Sequence, residues 1–411
     1  MFMKQKCTCV IGKGYNKFMN RIIVSLTSYP ARIGEIHKVL ESLVNQTYQA
    51  DAIILYLAEE QFPDKHLPIE LDAFIKRGVE VHWCEKDLKS HKKYFYAFQE
   101  YPDDYIITAD DDFYYDKYMI EELVKDIDVY PGCVLTRRAH LITAKGNQIA
   151  EYSEWWGECT RYIGIPRMDL FSTGCGGILY PPHIFTDIIF NEDEIIGRCF
   201  YADDIWLKIM ETICDIPTVL VETRNLDIPS PSFSGNGLYQ QFNDNGGNDK
   251  QLNAILQHYN YYHSPEKSLT QKIFQNGLIS CSEVEELKEK DMVLQVKSWI
   301  EKIDNYMEIV IYGAGKVAKR LYHILQKYGL DYRIKAFAVA DCACNPSEVN
   351  GIPVIKYTDT LFRQAVYIIG NANLYEQFKI ANFLMDVGVD EKNIEQIGSR
   401  LQHIFREACR E

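Results

Sequence analysis

Ile106-Ile107-Thr108-Ala109-Asp110-Asp111-Asp112-Phe113-Tyr114-Tyr115 is an apolar run that stops in three consecutive carboxylates. The apolar part reads as a buried β-strand. Acids grouped at a strand end repel one another unless a cation joins them. Side chains two apart on an extended chain share a face, so Asp110 and Asp112 are expected to converge on one divalent ion while Asp111 points elsewhere. Hard cations prefer oxygen ligands and complete their shell with phosphate and water. The competing reading is an exposed acidic turn that suits the N-terminus of a helix at 118–123.

Around this stretch, strand and helix patterns alternate. Residues 22–26 and 52–57 are β-rich, 36–43 and 71–76 have helical spacing, and 79–83 follow Gly78 as a further strand. A βαβαβ order implies a mostly parallel sheet with helices on its faces. Ligands of such sheets bind beyond the carboxyl ends of the strands, which is where the acids lie. Residues 225–237 and 243–249, rich in Asn, Asp, Ser, Pro and Gly, cannot build a core and are expected to form long binding or surface loops. The charged helical stretch 283–304 reads as a connector.

A second unit opens at Met307. Its strand at 308–312 leads into Gly313-Ala314-Gly315-Lys316-Val317-Ala318 and a helix at 319–328, and the next strand, 334–340, ends at Asp341. Two glycines between a strand and a helix fit a phosphate-binding turn, with Gly313, Gly315 and Asp341 as its candidate residues. Another strand is expected at 366–370. The division is therefore a flexible lead at 1–19, a large domain at 20–262, a helical connector at 263–306 and a small domain at 307–411.

Composition narrows the function classes. The 411 residues carry a formal charge of −14, which argues against general binding to nucleic acid or anionic lipid, and 13% aromatics, which argues against disorder. A phosphorylated substrate must then be met by a local device such as a metal ion. The 12 cysteines are scattered without a Cys-x-x-Cys pair and read as reduced thiols in a reducing compartment. No apolar run reaches the roughly 18 residues that span a bilayer, and residues 1–14 lack a secretory signal. A cytoplasmic protein is expected, with room for peripheral contact at the inner face of the membrane.

Four stretches of the large domain together resemble the metal-dependent glycosyltransferases of the GT-A fold, close to the family 2-like enzymes of bacterial surface-polysaccharide biosynthesis. The first is the turn after the opening strand, where the resemblance makes Thr27, Ser28, Tyr29 and Arg32 donor-binding. The second is the acid triplet, which matches the family's Asp-x-Asp element. It implies Mn2+ or Mg2+ on Asp112 and Asp110, with either Asp110 or Asp111 as the acid toward the ribose. The third, Ser90-His91-Lys92-Lys93, supplies a donor-pocket lysine, Lys93, with Lys92 the alternate.

The fourth stretch covers the acceptor side. Gly176 and Gly177 lie in Ser172-Thr173-Gly174-Cys175-Gly176-Gly177, and Asp203-Asp204 precede Ile205-Trp206-Leu207. By resemblance Asp204 is the catalytic base of an inverting transfer and Asp203 orients it, although Asp-Asp is also a good helix start. Trp155 and Trp156, with Tyr152 and Tyr162, are candidate sugar platforms or core. His258 is a further candidate metal ligand, and His263 lies close by.

The resemblance implies an α/β protein: a GT-A-type nucleotide-diphospho-sugar transferase domain with a mostly parallel sheet, plus a smaller C-terminal Rossmann-like α/β domain. The small domain resembles those attached to sugar-modifying acyltransferases and polysaccharide enzymes, where the pocket is of nucleotide or nucleotide-sugar type. Partners implied are a nucleotide-diphospho-sugar donor, a glycan or lipid-linked acceptor, and membrane or polysaccharide-assembly proteins in peripheral contact. Two alternatives compete with this reading. A sugar nucleotidyltransferase needs a glycine-rich basic loop after the first strand, and 27–34 has only Gly34. A non-catalytic nucleotide-binding scaffold protein needs no turnover at all.

Overall fold

The computed structural model describes residues 20–224, 242, 246–260, 266–358, 362–371 and 373–409. The expected lead at 1–19, the polar stretch 225–237, residues 243–245 and His263 lie outside them. The first elements alternate: β1 Ile22–Thr27, α1 His37–Val44, β2 Ala52–Ala58, α2 Leu71–Ile75, β3 Val79–Cys84, α3 Lys92–Glu100 and β4 Tyr105–Thr108. Next come α4 Met119–Val124, β5 Val134–Thr136, β6 Ala139–Leu141, β7 Ala144–Lys145, β8 Gln148–Ile149, β9 Leu170–Ser172 and β10 Ile178–Tyr180. Helices α5 Glu192–Arg198 and α6 Asp203–Ile213 lead to β11 Thr218–Leu220.

The main sheet has the order β11-β5-β10-β4-β1-β2-β3. Its pairs are parallel except those that β10 makes with β4 and β5. Val24 of β1 lies between Ile53 of β2 and Ile107 of β4. Both faces are covered, which is why the central strands are apolar at nearly every position. On one face Val24, Leu26 and Ile107 pack against Val39, Leu40 and Leu123. On the other, Tyr180 and Ile178 meet Tyr94, Phe95, Trp206 and Ile209. This second core also takes Ile255 of α7 (Gly247–Tyr259) and Leu269 and Ile273 of α8 (Leu269–Ile273).

Helix α9, Cys281–Asp304, has 24 residues and so runs about 36 Å. Near its start Val284 packs with Leu141, Trp156 and Leu220, whereas Val296, Trp299, Ile300 and Ile303 belong to the core of a second sheet. That unit comprises β12 Ile309–Tyr312, α10 Lys316–Lys327, β13 Ile334–Val339, β14 Glu348–Val349, β15 Ile352–Lys356, β16 Val366–Ile369, α11 Leu374–Asp386, β17 Ile394–Gln396 and α12 Ser399–Ala408. Its order is β14-β15-β13-β12-β16-β17, parallel apart from β14 against β15. The fold is thus the expected α/β, with a mostly parallel main sheet and a smaller second α/β unit.

One expectation is corrected at the decisive stretch. Strand β4 stops at Thr108, the Ala109 N–H makes one more bond to the Ser25 carbonyl at 2.9 Å, and residues 110–115 leave the ladder, because Asp111 and Asp112 swing toward a cation on the β1 turn. The described cysteines are all free thiols. Among the described residues no helix is long and apolar enough to cross a membrane.

Candidate active site

The site forms where β1 and β4 end side by side. After β1 the chain turns, with Arg32 N–H bonded to the Tyr29 carbonyl at 2.9 Å, and this brings Arg32 back over the acids. Its Nη1 lies 2.8 Å from Asp111 Oδ1 and 2.7 Å from Asp112 Oδ2. Ser28 Oγ donates to Asp111 at 2.6 Å, while Thr27 Oγ1 donates to the Tyr56 carbonyl at 2.8 Å and so faces β2. Asp110 turns the other way, to Lys93 Nζ at 2.5 Å. Its backbone N–H donates to the buried Tyr115 hydroxyl at 2.8 Å. The alternation expected for a strand therefore does not govern the triplet. Asp111 and Asp112 share an arginine, and Asp110 faces a lysine.

Lys93 is the centre of the cluster. It sits on the first turn of α3, only 2% exposed, and its carbonyl accepts from the Ser25 hydroxyl of β1. Besides Asp110, its ammonium stands 2.9 Å from Asp203 Oδ2. Lys92 points elsewhere, to Asp87 at 2.5 Å. Burial works against the Lys93 charge, but Asp110, Asp203 and Asp204 outweigh it and hold its pKa well above the usual lysine range.

Asp203 and Asp204 open α6, and the N-cap is Ala202. Ala202 makes no side-chain cap, and the two carboxylates reach the cluster, Asp203 at Lys93 and Asp204 at the Gly174 N–H. Asp204 Oδ2 accepts the Gly174 N–H at 3.0 Å, and its Oδ1 is enclosed without a hydrogen-bond partner. Burial, and then the neighbouring Asp203, push the Asp204 carboxyl up to about 8. Asp203 goes the opposite way: burial disfavours its charge, but Lys93 beside it holds its pKa below the usual range. Asp112 is pushed up to about 6 by burial and by Asp110, against Arg32.

Asp110, Asp111, Asp112, Asp203 and Asp204 outnumber the cations Arg32 and Lys93 that pair with them. Excess negative charge in a buried site, expressed in the raised values of Asp111, Asp112 and Asp204, is the condition a divalent cation relieves. Asp110 and Asp112 are hard oxygen donors of the kind Mg2+ or Mn2+ takes, with phosphate and water completing the shell, but here they face apart, Asp110 on Lys93 and Asp112 on Arg32. A third protein ligand is not supplied. Among the described residues no three His, Cys, Asp or Glu side chains form a metal group. His258, expected as a ligand, instead lies on the exposed side of α7, 3.6 Å from Glu194 of α5.

The glycine stretch needs a second correction. A Cβ on Gly174 would stand 2.9 and 3.0 Å from the Asp110 oxygens and 3.0 Å from Lys93 Nζ, so this is the glycine that lets backbone approach the cluster. Gly176 and Gly177 serve packing instead. A Cβ on Gly176 would meet Arg138 Cβ at 2.8 Å, and Gly177, at φ +81°, lies against Met119. Trp155 and Trp156 are likewise core rather than sugar platforms. Trp155 packs on Phe171 and Tyr152, and Trp156 lies with Leu141 and Leu170. Tyr162 is covered by the Arg167 guanidinium, 4.0 Å from its ring centroid.

Three residues absent from the sequence expectations hold the arrangement. His91, fully buried, bonds Tyr94 OH at 2.9 Å through Nδ1 and the Cys199 carbonyl at 2.8 Å through Nε2, tying the start of α3 to the approach of α6. Cys175 and Arg138 flank the Gly174 turn. His91 and Cys175 had a signal in the sequence, one two residues before Lys93 and the other inside the glycine stretch, whereas Arg138 had none.

In the second unit, Gly313 has φ +112° and a Cβ there would come within 3.0 Å of the Gly370 carbonyl, so its glycine is required by the joint between β12 and β16. Gly315 is the N-cap of α10. Asp341, exposed after β13, accepts the Ala343 N–H at 2.9 Å.

No family model matches the chain, and no curated protein does. Among solved structures it is similar to TarS 1–349 of S. aureus, at 13% identity over 49% of this chain and 59% of that one, with a TM-score of 0.31. It is similar to glucosyl-3-phosphoglycerate synthase from Mycobacterium tuberculosis, a complex with Mn2+, uridine diphosphate and phosphoglyceric acid, at 14% identity over 28% and 42%, with a TM-score of 0.22. A cytidylyltransferase from Leptospira borgpetersenii matches at 16% identity over 62% and 92%, with a TM-score of 0.31. The chain thus spans 59% of the TarS structure and 42% of the synthase.

Proposed function

We propose that this chain is a nucleotide-sugar transferase, and more finely a metal-dependent glycosyltransferase that moves a sugar from a nucleoside-diphosphate donor to a glycan or lipid-linked acceptor with inversion, in surface-polysaccharide assembly. One observation carries this reading. A buried lysine, Lys93, joins Asp110 at the end of the central strand β4 to Asp203 at the start of α6, so the acids suited to a cation and the acid suited to a base share one cluster.

Asp110 and Asp112, once released from Lys93 and Arg32, would hold Mg2+ or Mn2+, and such an ion would supply positive charge to a leaving diphosphate. Arg32 is drawn from Asp111 and Asp112 toward the donor phosphates, a role its planar fork suits. Lys93 and the Gly174 N–H keep Asp203 and Asp204 in place. Asp204 accepts the proton of the attacking hydroxyl through Oδ1, the oxygen left unpartnered inside the cluster. A carboxyl pushed up to about 8 is a stronger base than an ordinary aspartate once ionised.

The test is product identity. With a nucleotide-sugar donor and Mn2+, the full chain is expected to release nucleoside diphosphate, and Asp112→Ala and Asp204→Asn are expected to lower turnover at least about 100-fold. Pyrophosphate release from a nucleoside triphosphate and a sugar phosphate would instead make it a nucleotidyltransferase. Nucleotide binding with no release of any product across donors and acceptors would make it a scaffold.

A further inference from the structure

Arg137 and Arg138 are neighbours in sequence with opposite fates. The Arg137 side chain is 1% exposed and sealed between Asp116 and Glu122, each itself buried. Arg138 is 24% exposed, and among the described residues its carboxylate partner, Glu158 at 2.6 Å, is 41% exposed. Its other contacts are neutral and weak acceptors, Thr173 Oγ1 at 2.9 Å and Cys175 Sγ at 3.2 Å. A guanidinium stays charged at any physiological pH and is built for two-pronged contact with an oxyanion. A hydroxyl and a thiol do not use that capacity.

The place of this arginine matters. Thr173 and Cys175 bracket Gly174, whose N–H holds Asp204 and whose Cα faces Asp110 and Lys93. Arg138 therefore lies on the far side of one turn from the proposed base. Glu158 holds it from a sparsely populated backbone conformation, φ +52°, with its N–H donated to His140 Nδ1 at 3.0 Å. Left-handed backbone at a residue other than glycine persists only where its surroundings impose it.

We infer that Arg138, together with the Thr173 hydroxyl, receives an oxyanion of the acceptor, a phosphate ester or a carboxylate, and that Glu158 keeps the guanidinium in place until that group displaces it. The word acceptor rests on the transferase reading, while the oxyanion site stands on its own geometry. The acceptor class is narrowed to molecules carrying an anionic group near the hydroxyl that attacks.

The experiment titrates inorganic phosphate, and separately acetate, into the full chain by calorimetry, using wild type, Arg138→Gln, Arg138→Lys and Glu158→Gln. Glu158→Gln is expected to bind about five-fold tighter, since it removes an exposed competing carboxylate. Arg138→Gln is expected to weaken binding about ten-fold or more, and Arg138→Lys to fall between, because the point charge remains and the fork is lost. The anion bound tighter by wild type identifies the group as phosphate or carboxylate. If Arg138→Gln fails to fold, Glu158→Gln decides alone. Unchanged affinity in Glu158→Gln, or in a folded Arg138→Gln, overturns the inference. Mn2+-dependent uridine diphosphate binding, measured on the same wild-type protein, keeps the two readings separable. Its loss with the phosphate response intact refutes the transferase reading alone, and the reverse refutes the oxyanion site alone.

Discussion

A lysine ammonium enclosed to 2% exposure persists only where carboxylates surround it, and Lys93 has them on both sides. Removing one member of a buried pair leaves the other charge uncompensated and costs about 3–5 kcal/mol. Lys93→Met is therefore expected to lower the urea midpoint sharply, because Asp110 and Asp203 lose their shared partner. Asp204→Asn is expected to do the reverse. The Asp204 carboxyl is raised from an ordinary 3.8 to about 8, so ionising it costs more in the folded than in the unfolded chain. Its stabilising contribution is complete below about pH 4 and is lost as pH rises to about 8. Thermal unfolding across that range checks the sign. Asp204→Asn should melt above wild type at pH 8, with the gap closing toward pH 4, while turnover is lost. A carboxylate in a site so charged costs stability, and the asparagine removes that cost.

At the scale of elements, the turn of residues 173–177 sets how closely α6 approaches β4. Gly174→Ala places a methyl within 3.0 Å of Asp110 and Lys93, where the neighbours are the paired atoms themselves. Weaker Mn2+-dependent nucleotide binding with an unchanged far-UV spectrum is expected, and an alanine variant that binds as wild type would show that the turn does not set the site. Which glycine mattered was not legible in the sequence. Gly174, Gly176 and Gly177 differ only in what the fold lays over them: the acid cluster, Arg138 and Met119. The same holds for the acids. The apolar residues of β4 announced a buried strand, but the direction of Asp111 and Asp112 depended on Arg32 arriving from a turn about eighty residues earlier, and that of Asp110 on Lys93. Three-residue strands such as β5, β10 and β11 carry too little periodicity to be read. By contrast, β1, β2 and α9, whose patterns extend over more residues, were legible. Trp155 and Trp156 had two readings, and the shielding of both faces of the sheet decided for the core.

The whole molecule adds a joint between its two α/β units directly behind the acids. Tyr114 meets Phe378 of α11 with ring centroids 6.1 Å apart, Lys117 Nζ lies 3.0 Å from Glu391, and the Tyr118 hydroxyl donates to the same carboxylate. An exposed ion pair contributes about 0–1 kcal/mol, so Glu391→Ala with Phe378→Ala should leave global unfolding nearly unchanged. It should instead speed amide exchange at 113–118, because those residues lose their outer contacts; equal exchange would mean that the joint does not order the acid turn. The central claim concerns the cluster itself: it binds a divalent cation together with a nucleoside diphosphate. Calorimetry of the full chain with uridine and guanosine diphosphates, CMP and NAD, each with and without Mn2+, tests it most directly. The account predicts Mn2+-dependent binding of one nucleoside diphosphate, abolished in Asp112→Ala with the fold intact. Binding that ignores Mn2+ and survives Asp112→Ala, or binding of NAD alone, would contradict it.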